Sequence, residues 1–160
     1  MRALLSIVFL ATAACSIAAD DTSRVLSLCD VVRNWEAYDG KDIQIKGIFA
    51  VGPEVARLYD PGCCNQDAQL WVEFIESRNG RPTKERAQLK RYINADSRAK
   101  VVFKGRFEGP KAVAVPDTVH PDLRERIRDL NSRHGHMNAY RFKIVVREIQ
   151  KVERVDRTTP

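Results

Sequence analysis

A glycine set inside an alternating strand occurs twice in this chain, and it restricts the fold more than any other feature. The run 38–51 reads YDGKDIQIKGIFAV. Asp39-Gly40 supplies a turn, after which Ile43 and Ile45 alternate with Asp42, Gln44 and Lys46 before Gly47, Ile48 and Phe49. That alternation marks a strand with one buried face and one wet face. A glycine within it marks a bulge or sharp bend, the device by which small closed barrels turn their corners. The pattern returns in 101–107, VVFKGRF, around Gly105. The two segments predict the frame of a small β-barrel.

The rest of the chain supplies partners for that frame. Val25, Leu28, Val32 and Trp35 recur at helical spacing, with Thr22 or Ser23 available as a cap, and predict an amphipathic helix leaning on the barrel. Strands are expected over 42–51, 55–59 and 69–75, and again over 100–108 and 140–152. Leu70, Val72 and Phe74 should face one way in the third, and Phe142, Ile144 and Val146 should be buried in the last. Thr83 caps an expected helix over 84–95. A further charged helix begins at Pro121-Asp122, with Leu123, Ile127 and Leu130 as a narrow apolar stripe. Five strands with a helix between the third and fourth give a mainly β class with accessory helices, in the order of a five-stranded OB-like barrel. The insertion between the last two strands falls in a loop that such barrels use for ligands.

The N-terminus points to export. Met1-Arg2 is followed by an uncharged apolar stretch and a small-residue run ending at Ala18-Ala19, as in a secretory signal peptide. The apolar stretch is shorter than the ~20 residues a spanning helix needs. Residues 1–19 are therefore assigned to a signal peptide, 20–155 to one OB-like domain and 156–160 to a polar tail. Thr12-Ala13-Ala14-Cys15 also approaches a lipoprotein processing site, which would anchor the chain through a lipidated Cys15. Thr12 stands where that motif prefers leucine, so soluble export to the periplasm or beyond is the preferred expectation. Only Arg2 is charged in the first 19 residues, so cleavage lowers the net charge from +6 to +5. About 140 of the 160 residues remain, enough for a core that does not depend on disulfides to fold.

Tyr38-Asp39-Gly40-Lys41 with Ile43, Ile45 and Gly47, then Leu58-Tyr59, then Gly135-His136-Met137, together resemble a loose group of uncharacterised bacterial exported proteins of OB-like build. The resemblance implies export and a barrel, and it brings no activity with it.

Three sets of residues could carry function. Cysteines in an exported chain tend to pair. Cys29, Cys63 and Cys64 are an odd set, and adjacent cysteines close a strained ring. The expected disulfide joins Cys29 to Cys63 or Cys64. His134 and His136 could face one ion and, with Cys63, Cys64 or His120, complete a zinc site. Only half of a recognisable ligand pattern is present, and structural loop histidines are the ordinary reading. Arg141, Lys143 and Arg147 share the outer side of the last strand, and Lys104 and Arg106 can join them from the fourth. A basic groove with aromatic platforms is how OB barrels take nucleic acid, with Tyr59, Trp71 and Tyr140 available as aromatics. An exported domain meets little nucleic acid, so an anionic envelope component or another envelope protein is the expected partner. A solvated face of mixed charge is the plain alternative.

No Ser-His-Asp order, phosphate loop or cofactor motif stands out. Glu73 beside Trp71, and Asp60 near Asp67, are the carboxylates worth naming, and neither pair declares acid–base chemistry. The sequence therefore favours a non-enzymatic binding or interaction module without a cofactor. A metal- or thiol-dependent envelope enzyme built on the Cys63/Cys64 and His134/His136 loops is the alternative.

Overall fold

The structure, a computed structural model, describes residues 24–63, 68–75 and 82–155. The signal-peptide assignment, Cys15, Cys64 and the tail lie outside them. Along the chain run β1 (Val25–Ser27), α1 (Leu28–Arg33), α2 (Trp35–Tyr38), β2 (Asp42–Gly52), β3 (Val55–Tyr59) and β4 (Gln69–Phe74). Then follow α3 (Lys84–Asp96), β5 (Arg98–Glu108), α4 (Pro121–Asn131) and β6 (Phe142–Glu153).

Five strands close a barrel. β2 pairs antiparallel with β3 and β5, and β3 pairs antiparallel with β4. β6 closes the ring, parallel to β4 and antiparallel to β5. With β2 counted as the first barrel strand, the order is 1-2-3-5-4 with first and fourth joined, which is the OB arrangement. α3 lies between the third and fourth strands and sets Leu89 into the core against β5 and β6.

The two strand glycines do what the pattern implied. Along one edge β2 meets β1 over 44–46 and then β3 over 48–52, so its neighbour on that side changes at Gly47, while β5 runs along the other edge. There the Leu58 side chain and the Tyr59 carbonyl oxygen come within 3.0 Å of where a Cβ would sit. At Gly105 the β5–β6 register shifts, and the β6 backbone at Val145 and Val146 presses against the glycine. Each bare backbone position lets a neighbouring strand cross closer than a side chain would allow.

Alternation sends Ile43, Ile45, Leu58, Leu70, Val72, Phe103, Phe107, Phe142, Ile144 and Val146 inward. Phe49, Phe74 and Phe103 meet edge to face with ring centroids 5.5–5.6 Å apart, the geometry aromatic quadrupoles favour. Burying each such side chain contributes about 1.5–3 kcal/mol.

The N-terminal element differs from the sequence expectation. Val25, Leu26 and Ser27 form a strand, parallel to Gln44, Ile45 and Lys46 of β2. The helix starts at Leu28, with Ser27 Oγ accepting the Asp30 N–H at 3.1 Å. Ser27 is thus the cap, and Thr22 and Ser23 lie outside the described residues. The competing force is the free edge of β2, which offers backbone partners that a helix over 25–27 would leave unused. Asn34 then breaks the run, and α2 turns Trp35 onto Phe142. The last strand begins at Phe142, two residues later than expected, because Tyr140 pairs with His134 instead. In α4 the expected apolar stripe faces outward: Leu123 and Leu130 are about half exposed, and no α4 residue is buried. Among the described residues, no helix is long and apolar enough to cross a membrane.

Candidate functional site

The outer face of β3 and β4 brings Arg57 together with the aromatic side chains of Tyr59 and Trp71. Register places Arg57 beside Trp71, Trp71 beside Lys143, and Lys143 beside Glu108, with Tyr59 beside Gln69 in the next row. Arg57 Nη1 donates to Gln69 Oε1 at 3.0 Å, and its guanidinium lies over the Tyr59 ring, 5.2 Å from the centroid. Its Nε is buried without a hydrogen-bond partner, and no carboxylate pairs with it among the described residues. A half-buried guanidinium held by an amide and an aromatic ring, with no carboxylate on it, is a fixed point on this face for an acid group.

Trp71 continues the surface. Its indole packs against Tyr140 at 5.5 Å. The turn 134–140 lies on it so closely that a Cβ on Gly135 would fall 2.7 Å from the ring. Gly135 has φ +76°, and Met137 and Asn138 follow in the left-handed region. Two bonds between His134 and Tyr140 main chains clamp the turn. At its tip His136 Nε2 reaches the Glu54 carboxylate at 3.2 Å, in the turn between β2 and β3. The two loops that frame the face therefore touch.

His134 anchors this turn from below. It is buried, and its Nε2 lies 2.7 Å from the Gly109 carbonyl oxygen. A carbonyl only accepts, so the proton sits on Nε2. Burial pushes the imidazole below its ordinary pKa, the hydrogen bond opposes that, and Lys111 and Lys143 add to the lowering. His134 and His136 thus serve different partners. Among the described residues the one group that could hold a metal is Cys29, Asp60 and Cys63 instead. His120 makes its contact locally, with Asp122.

The cations expected on the last strand are divided. Lys143 Nζ sits 2.8 Å from Glu108 and 3.1 Å from Glu73. Burial works to lower its pKa, but the hydrogen bonds and charges of these two acids outweigh it and raise the ammonium above its usual value. Arg147 pairs with Asp42 at 2.5 Å. Arg141 is exposed and lies over the Phe142 ring. Lys104 stands opposite Glu148, and Arg106 opposite Asp42 and Val145. Acids interleave with these cations, so they do not form one continuous positive run. Arg57 was missed by the sequence reading. Its signal was an arginine between two outward positions of an aromatic strand, and its freedom from acids shows only once β4 is placed beside it.

Cys29 bonds to Cys63, with Cα atoms 5.5 Å apart, tying α1 to the loop after β3. A cleft of 360 Å3 opens beside that loop between Lys46, Ile48, Asp60, Pro61, Lys100 and Lys151. A wider one of 770 Å3 lies between the end of β4, the start of α3 and β6, bordered by Arg86 and Arg147. Comparison with family models, with characterised proteins and with solved structures gave no match to this chain.

Proposed function

We propose that this protein is an exported, OB-type binding module of the cell envelope that takes an anionic ligand carrying a flat or apolar ring. The signal-peptide pattern of the first 19 residues and the resemblance to exported OB-like proteins motivate the location. One observation supports the ligand class above the rest. Arg57 is fixed over Tyr59 by Gln69 and is free of carboxylates among the described residues. The face it occupies, framed by the β2–β3 and β5–β6 loops, is the one OB barrels use for extended ligands. An acid group would meet the guanidinium while its ring stacks on Tyr59. Acidic glycans of the envelope have both features.

The experiment is a titration of the purified protein with acidic oligosaccharides, anionic vesicles and single-stranded oligonucleotides at low and moderate salt. Arg57→Gln is compared with the triple variant Arg141→Gln, Lys143→Gln and Arg147→Gln. Charged hydrogen bonds contribute about 1.5–3 kcal/mol, so Arg57→Gln should weaken binding about 10- to 100-fold. Equal binding by Arg57→Gln and the parent would sink the site. Loss confined to the triple variant would move it to the β6 face. Intact mass analysis of the mature N-terminus separates soluble export from lipidation at Cys15.

A further inference from the structure

We propose that Cys29, Asp60 and Cys63 form a binding site for one thiophilic divalent cation, with zinc as the type case, when their disulfide is reduced. The site is independent of the ligand face described above. The two sulfurs and a carboxylate oxygen of Asp60 lie within 4.8 Å of one another, and all three residues are half-buried. Two thiolates and a carboxylate are a donor set suited to tetrahedral zinc, with a fourth position left for water.

The loop holds these donors together for a local reason. Asp60-Pro61-Gly62-Cys63 is a tight turn in which the Cys63 N–H donates to the Asp60 carbonyl at 3.1 Å. The Gly62 N–H donates to Asp60 Oδ1 at 2.9 Å and so orients the carboxylate. Such an outer hydrogen bond is what fixes a ligating group in metal sites. Opposite the turn, Cys29 projects from α1, whose neighbours Leu28, Val31 and Val32 are locked in the core. Neither side of the site depends on the disulfide alone for its position. Zinc–sulfur bonds of about 2.3 Å at a tetrahedral angle put the two sulfurs about 3.8 Å apart. Side-chain rotation at a Cα separation of 5.5 Å covers that distance. The cleft of 360 Å3 shares Asp60 and Pro61 with the turn.

The redox step balances with a dithiol as co-reactant. Two electrons pass from the dithiol to the Cys29–Cys63 bond, which breaks to two protein thiols while the dithiol becomes a disulfide. Cation binding then releases the two thiol protons. In the oxidised state each sulfur is spent on the other, and the site is closed. The pair is thus a covalent staple in one state and a metal centre in the other.

The test uses the full chain without a histidine tag, carrying Cys15→Ser and Cys64→Ser so that Cys29 and Cys63 are its only cysteines. Zinc binding is measured by competition with a chromogenic chelator, and cobalt is substituted to read thiolate ligation from its absorption. The reduced protein should bind one zinc per chain and show cobalt–thiolate charge transfer, and the oxidised protein should show neither. Adding Asp60→Asn should weaken zinc at least about tenfold, the scale on which ligand-shell losses fall. If reduction alone unfolds the chain, zinc should restore its near-UV circular dichroism. The proposal is overturned if the reduced protein takes up no zinc, if the oxidised form binds equally, or if Asp60→Asn binds as the parent does.

Discussion

The strand glycines of this barrel allow a graded prediction, because their surroundings differ while none has a positive φ. A Cβ on Gly105 would overlap the Val145 carbonyl oxygen and lie 2.9 Å from both the Val145 carbonyl carbon and the Val146 Cα. All of these are backbone atoms, so relief requires β6 to move away from β5 where their register already shifts. Overpacking of this kind costs about 1–3 kcal/mol. Each ladder hydrogen bond lost adds about 0.5–1.5, and replacing glycine in a strand returns about 0.5–1. With two such bonds lost, the net for Gly105→Ala is a loss of about 1–5.5 kcal/mol. At Gly47 the nearest atoms stand at 3.0 Å, two of them on the Leu58 side chain, which can give way. Gly47→Ala should lose about 0–1.5 kcal/mol, the low end of overpacking less the same return. At Gly52 the nearest atom is 3.7 Å away, an ordinary contact, so Gly52→Ala should be neutral or slightly stabilising. Urea denaturation of the three variants, read as midpoints with m held comparable, gives the order directly. Were Gly105→Ala as stable as Gly52→Ala, close β5–β6 approach would not be what Gly105 is for.

Three further outcomes follow from the same structure. Replacing Cys29 and Cys63 by alanine frees a link across 34 positions; the chain-entropy relation gives about 4 kcal/mol as the ceiling, and a loss of about 2–4 in urea is expected without loss of the fold. His134 has a folded-state pKa below the unfolded value of about 6.5, so the unfolded chain takes up a proton that the native one refuses. Its contribution is complete above that pH and falls as pH drops toward the folded pKa, by at most about 1.4 kcal/mol per unit, and a His134→Gln chain should show a shallower decline between pH 7 and 5. Gly135→Ala combines a strained φ with a Cβ 2.7 Å from the Trp71 ring; it should cost about 1–3 kcal/mol and shift Trp71 emission to the red in a Trp35→Phe background, whereas an unchanged spectrum would mean that the turn does not cover Trp71.

What was readable in advance, and what was not, divides along physical lines. The bends at Gly47 and Gly105 were legible because a glycine within period-two alternation is a local pattern, complete within one strand. The pairing of Cys29 was legible to within one residue, since oxidising chemistry and ring strain left few choices. β1 was not, because three residues carry no period, and the nearby leucine and valines matched a helix just as well. The outward stripe of α4 defeated the amphipathic reading, which assumes that a neighbour exists to receive it. How the cations of the last strand are partnered was not legible either. Lys143 is neutralised by Glu73 from one neighbouring strand and Glu108 from another, both far from it in sequence. Whether a charge is free depends on who stands beside it, and that is a property of register.

The closing role of β6 has a consequence for how the chain comes together during synthesis. β1, β2 and β3 are consecutive and pair with one another, so that corner can form early. β4 extends it by one strand, and β5 adds to the other side of β2 only after the intervening residues 53–97. At that point the assembly is a bent open sheet with β4 and β5 as its bare margins. Only β6 fits between them, with one margin parallel to it and the other antiparallel. Until residues 142–153 are made, both margins present unpaired backbone of the kind that recruits other chains. Loss of that last strand would therefore leave two sticky edges at once, and a nascent chain stalled before it would be at greatest risk of association.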